Sequence, residues 1–137
     1  MQHMTVQGCL VMNLALPAGG ALRVPVGLKY TTSDPYAVRL AFRFPDEAPV
    51  TWFLARELLV DGIRGPVGEG DIRVCPVGKD LSKVRISLFS PEGSARLFAS
   101  VAPLSAFLSR TEALIPVGEE STEESIEAEL ATILYGW

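Results

Sequence analysis

Asp34–Gly78 reads DPYAVRLAFRFPDEAPVTWFLARELLVDGIRGPVGEGDIRVCPVG, and the change of period inside it decides the fold class. From Tyr36 to Phe44 the apolar residues Tyr36, Val38, Leu40, Phe42 and Phe44 alternate with Ala37, Arg39, Ala41 and Arg43. That period of two belongs to a strand with one face buried. Pro45-Asp-Glu-Ala-Pro49 turns the chain, and Val50–Ala55 is expected to pair back. Trp52 and Phe53 point to opposite faces there, which implies that both faces of that strand are covered. Arg56–Val60 holds helix formers for about one turn, before Asp61-Gly62 stops it. Gly65–Gly70 reads as a tight loop, and Asp71–Val77 resumes extended structure.

Outward from this stretch the same alternation continues. Thr5–Leu16 is a strand closed by Pro17-Ala-Gly-Gly20, whose glycines suit a hairpin connection. In Ala21–Tyr30 the residues Leu22, Val24, Val26, Leu28 and Tyr30 share one face, opposite Arg23, Pro25, Gly27 and Lys29. Pro25 offers no ladder N–H, so this strand is expected at an edge or on a bulge. On the C-terminal side, Leu81–Phe89 sets Val84, Ile86 and Leu88 towards the core, Ser90-Pro-Glu-Gly93 has the residues of a type I turn, and Ser94–Val101 completes a hairpin. The period then lengthens. Pro103, Leu104, Phe107, Leu108 and Thr111 mark a helix ending near Leu114–Pro116. A second helix is expected from Ser121, with Glu124 completing a capping box and Ile126, Leu130, Ile133, Leu134 and Trp137 forming its apolar stripe. Pro-Val-Gly recurs at 25–27, 66–68, 76–78 and 116–118 in text that does not otherwise repeat, so it is read as turn punctuation and not duplication.

With 137 residues and 48% hydrophobic content the chain suits one domain, residues 1–137, with a β-rich body over about 5–101 and helices over 102–137. No apolar run approaches the roughly 20 residues of a membrane span, and Met1–Gly8 lacks the marks of a secretion signal, so a cytoplasmic address is the expectation. Cys9 and Cys75 lie in strand-like text without metal or redox spacing, and are read as buried free thiols with a disulfide left open. The net charge of −4 conceals an asymmetry: residues 1–110 carry all 12 Lys and Arg against 9 acids, whereas residues 111–137 carry 7 acids and no base.

Little in the chain points to catalysis. His3, the only histidine, has no nucleophile or orienting carboxylate beside it. Gly68-Glu-Gly-Asp71 offers only Glu69 and Asp71 as hard ligands and no Lys-Ser/Thr, so it is a structural loop and not a metal or phosphate site. No cofactor is expected. The strand phases send Arg23, Lys29, Arg39, Arg43, Arg73, Lys83 and Arg85 to the solvent side of the sheet, with Phe89 and Phe98 as outward aromatics. A solvated face is the favoured reading, and single-stranded nucleic-acid binding along that face is the alternative.

DPYAV at 34–38 followed by FLARELLVDGIRGPVGEGDIRVCP at 53–76 resembles the SsgA-like sporulation and cell-division proteins of filamentous actinobacteria, most closely their SsgB branch. The resemblance continues through Ser90-Pro-Glu-Gly93, Phe107-Leu-Ser-Arg-Thr111 and the acidic C-terminal region. It implies a non-enzymatic division protein that marks the sporulation septum by recruiting the tubulin-like FtsZ and favouring its polymerisation, with SsgA-type partners and without membrane insertion. It further implies a bell-shaped homotrimer whose subunit is similar to whirly-type single-strand binders. The matching polar residues are Arg56, Asp71 and Arg73, for which an Arg–Asp pair holding the loop is weighed above a partner contact. Where the family pattern has tryptophan this chain has Cys75, which speaks against a surface role there and opens wall remodelling as a variant of the function. The fold expected is therefore α+β: a twisted antiparallel sheet curling towards a barrel, with two C-terminal helices.

Overall fold

The computed structural model describes residues 3–120, and the helix expected from Ser121 lies outside the described residues. The chain forms four strands and a helix, twice over. The first set is β1 (Thr5–Ala15), β2 (Ala21–Thr31), β3 (Asp34–Phe42), β4 (Val50–Ala55) and α1 (Arg56–Gly62). The second is β5 (Val67–Glu69), β6 (Ile72–Val77), β7 (Lys83–Ser90), β8 (Gly93–Ser100) and α2 (Val101–Leu114). Both sets join one antiparallel sheet in the order β4-β3-β2-β1-β8-β7-β6-β5, curled into a half-barrel. The seam between them is short, since β1 meets β8 only at Asn13–Phe98 and Leu14–Leu97.

Alternation decides which face is filled. Met12, Val24, Val26, Val38, Leu40, Leu54, Val74, Val84 and Ile86 are buried on the inner face of the sheet, where Leu104, Phe107 and Leu108 of α2 pack with them. The helical stripe read from the sequence is thus the buried side of α2, together with Thr111. Gly8 of β1 makes room for this helix: a Cβ there would lie 3.0 Å from the Phe107 ring.

Several expectations are corrected. Pro25 lies in neither an edge strand nor a bulge, because β2 is flanked by β1 and β3 and its register with β1 is unbroken. Its carbonyl accepts the Arg43 N–H at 3.0 Å, just past the end of β3, so the proline faces the last rung, where a missing donor costs little. The irregularity falls between Lys29 and Thr31. There Pro35 takes the buried place, and Tyr36, expected in the core, is left 50% exposed. Phe53 is 62% exposed, so the outer face of β4 is open among the described residues. Cys9 is exposed and Cys75 half-buried, both as free thiols, because odd positions of β1 and β6 face outward. The loop Gly65–Gly70 contains strand β5, which hairpins onto β6. Val101 opens α2 instead of closing β8, its N–H satisfied by the Ser82 carbonyl at 2.8 Å.

Gly62 also departs from expectation. It does not stop α1 but lies inside it, buried, with the cap at Ile63. A Cβ at Gly62 would come within 2.2 Å of Val74 Cγ1, so glycine is required by close packing of α1 on β6. Gly62→Ala is expected to cost about 2 kcal/mol by overpacking, whereas Gly65→Ala, with open space at its Cβ, should leave the melting temperature nearly unchanged. Paired thermal melts of the two variants check this.

Candidate interaction surface

Arg56, at the start of α1, is fully buried. Its guanidinium lies 4.9 Å from the centre of the Tyr30 ring. Nη1 donates to the Ile115 carbonyl at 2.6 Å and to Thr111 Oγ1 at 3.4 Å. Nη2 donates to the Pro116 carbonyl at 3.4 Å and to Glu120 Oε1 at 2.6 Å. Its Nε finds no acceptor among the described residues. The Gly118 N–H donates to the other Glu120 oxygen at 2.8 Å, and the Tyr36 hydroxyl donates to the Glu120 carbonyl. One cation therefore fastens the chain after α2 to α1 and to the inner face of the sheet.

This geometry separates residues that the sequence grouped. Arg56 fastens the segment after α2 and not the loop before β6, because its carboxylate partner is Glu120 and not Asp71. Asp71 and Arg73 are exposed, and the Asp71 carbonyl accepts the Phe89 N–H at 2.8 Å. Glu120 escaped notice because 64 residues separate it from Arg56, and nothing local marks such a pairing.

Burial works to raise the Glu120 carboxyl, but the hydrogen bond from Arg56, helped by backbone N–H groups of Glu120 and Gly118, outweighs it and holds the group below its ordinary value of 4.5. A carboxylate depressed by folding stabilises the fold above its unfolded pKa, and that contribution is lost as pH falls through the folded one. Burial likewise pushes the Tyr30 phenol up, against the opposing charge of Arg56; its hydroxyl donates to the Pro35 carbonyl at 3.0 Å.

The outer face of the sheet carries basic residues at its outward strand positions. Lys29 lies opposite Arg39, Arg39 opposite Phe53 and Lys29 opposite Gln7, so one row crosses β4, β3, β2 and β1. Arg43 lies just past the end of the strand that carries Arg39, and Arg23 pairs with Asn13. Beyond the seam Arg73, Lys83 and Arg85 occupy outward positions on β6 and β7. Arg96, opposite Ser87, joins them, and the alternation of Leu97 and Ala99 could have placed it. None of these cations forms an ion pair among the described residues. Small residues at Gly27 and Ala41 leave a depression of about 250 Å³ walled by Lys29, Arg39 and Arg43, with Cys9 in its lining. A second of about 160 Å³ adjoins it through Lys29 and Arg39 and is bordered by Phe53 and Asp34. Phe53 is the outward aromatic that sequence reasoning left out; Phe89 is 39% exposed, and Phe98 half-buried.

A half-barrel of two strand meanders, each followed by a helix, with one face filled and the other open, defines an α+β protein whose distinctive features are surfaces. No group of three or more His, Cys, Asp or Glu able to hold a metal occurs among the described residues, and no described helix is long and apolar enough to cross a membrane. The chain belongs to the SsgA family: residues 24–120 match the family described as Streptomyces sporulation and cell division protein, SsgA. The sporulation-specific cell division protein SsgB of Thermobifida fusca is 47% identical over 122 residues, 88% of either chain. That of Streptomyces coelicolor is 42% identical over 131 residues, covering 95% of this chain and 96% of its own. The crystal structure of an SsgA-like sporulation-specific cell division protein from T. fusca YX-ER1 superposes with a TM-score of 0.82 at 42% identity, over 96% of both chains. A structure from work on SsgB mutations that correlate to longitudinal cell division during sporulation of S. coelicolor gives 0.80 at 43% identity, covering 86% of this chain and 94% of that one. The resemblance carried by residues 34–38 and 53–76 is therefore one of family, and the half-barrel fold is shared.

Removing one partner of a buried pair is strongly destabilising, so Arg56→Met should cost about 3 kcal/mol. Glu120→Gln should cost less, since the amide oxygen still offers Nη2 an acceptor and the Ile115 and Pro116 carbonyls still accept from the guanidinium. The deficit of Glu120→Gln relative to the parent should be constant above about pH 5.5 and shrink as pH falls through the depressed pKa of Glu120, below its ordinary 4.5. Thermal melts across that range measure it.

Proposed function

We propose that this chain is a sporulation-specific division protein that works by recruitment, as a homotrimer, without catalysis and without a cofactor. It acts in the cytoplasm at the septum, binding the tubulin-like FtsZ and favouring its polymerisation together with SsgA-type division proteins. The observation that carries this reading is the near full-length identity with SsgB relatives, 47% over 88% of both chains in the T. fusca case, on one shared fold.

The surface supports a protein that works by contact. β4 is an edge strand of the sheet, and its sequence VTWFLA contains no charge. Val50 is 43% and Phe53 62% exposed on it, with Tyr36 half exposed on neighbouring β3. An uncharged edge invites pairing with another chain unless something covers it. Assembly with further copies covers such an edge, and three copies of a weak site on one particle raise avidity for a polymer without any new contact.

Light scattering coupled to size exclusion should give a mass three times that of the chain. Sedimentation of FtsZ with GTP should then show more polymer in the pellet when this protein is added, and the protein should sediment with it. An unchanged pellet, with this protein left in the supernatant, would overturn the recruitment reading.

A further inference from the structure

The outer face of the sheet differs from the rest of the molecule in the sign of its charge. The chain is acidic overall, at −4, yet no outward strand position on β1, β2, β4, β6, β7 or β8 carries Asp or Glu. On β3 the exposed or half-buried residues after Asp34 are Tyr36, Ala37, Arg39 and Ala41, none of them acidic. Because charges more than about 8 Å apart are largely screened at physiological salt, a ligand lying on this face meets the local cations and not the acidic remainder.

We infer that this face, centred on the depression between β1, β2 and β3, is the docking site for an extended acidic peptide segment of a protein partner, an inference that rests on the recruitment role proposed above. Lys29 and Arg39 are direct cross-strand partners, which puts their Cβ atoms about 5 Å apart, so both reach one carboxylate. Arg43 lies four residues beyond Arg39, about 13 Å along the strand at ~3.3 Å per residue. Acidic side chains at the first and fifth positions of an extended peptide running along β3 meet these two stations. Between them Gly27 and Ala41 present almost no side chain, and the depression of about 250 Å³ receives the peptide main chain. Phe53, next to Arg39, offers an apolar contact to a residue flanking the acids.

The same details favour a peptide over a nucleic acid. Single-strand binders stack successive bases on aromatic side chains set among the cations; here Phe53 stands alone at one end of the row, and Phe98 lies across the seam on β8. A polynucleotide also carries charge without interruption, and the path along β3 meets acids at both ends: Asp34 borders the smaller depression, and Asp46 and Glu47 lie in the turn beyond Arg43. A peptide can place neutral residues at those points.

The test uses the whole chain and a fluorescein-labelled peptide of about 12 residues, rich in Glu and Asp with two leucines, titrated by anisotropy at low salt (~50 mM). Lys29→Ala with Arg39→Ala should weaken binding by about tenfold or more, whereas Lys79→Ala, on the loop before β7, should match the parent. The bound peptide should slow alkylation of Cys9, which lines the depression, and spare Cys75. Equal affinity of parent and double variant at an unchanged melting temperature overturns the inference. So does an oligothymidylate of the same charge that binds more tightly than the peptide, which would make the ligand a nucleic acid. FtsZ sedimentation on the same samples separates the two proposals. Recruitment without peptide binding sinks the docking site and leaves the recruitment role standing; peptide binding without any effect on FtsZ does the reverse.

Discussion

A guanidinium with no exposed surface must have its charge answered by protein, and Arg56 draws its partners from three parts of the chain at once, with only Nε lacking an acceptor among the described residues. Tyr30 of β2 lies against its face, Thr111 and Ile115 come from the end of α2, and Glu120 supplies the opposing carboxylate. Such a pair is costly to assemble, because both ions leave water, and still more costly to break, because one would remain buried and alone. The arrangement therefore reports geometry more than stability. It sets where the chain runs after α2 and holds the first helix against the inside of the half-barrel. Tyr36, drawn to the Glu120 carbonyl, ties the same point to the start of β3.

With the inner face closed by helices and by that anchor, the outer face is left for contacts. The division follows from strand geometry, since alternate residues must leave on opposite sides. Val24, Val26 and Leu28 turn in while Arg23 and Lys29 turn out. For a family named for sporulation and cell division, a rigid half-barrel with a basic outer face and an uncharged edge strand suits work done by association. The filled side keeps the shape, and among the described residues the open side and the edge are uncovered.

How far the sequence could be read depended on how local each cause was. The strands Val24–Tyr30 and Val84–Leu88 and the stripe Leu104–Thr111 were legible because period two and period three-to-four are written in neighbouring residues. The alternation misplaces Tyr36 because a register shift against the adjacent strand β2, between Lys29 and Thr31, changes which side chains are covered. Pro25 was misplaced because its tolerance depends on where the neighbouring strand stops. The local text Asp-Gly predicts a helix stop at Gly62, whereas the cause of this glycine is Val74 on another element. Of the candidate residues, the basic set lies at outward strand positions, whereas Arg56 pairs with Glu120 and not with Asp71.

By itself, then, the sequence determined the class of fold, the inward and outward faces of most strands, the buried side of α2 and the family, since all of these rest on patterns or motifs contiguous along the chain. Tertiary structure alone decided the joining of the two meanders through β1 and β8, the pairing of Arg56 with Glu120, and the union of Lys29, Arg39 and Arg43 around one depression. Those depend on strand order and register, and on contacts across the sheet or between distant segments, which no local period encodes.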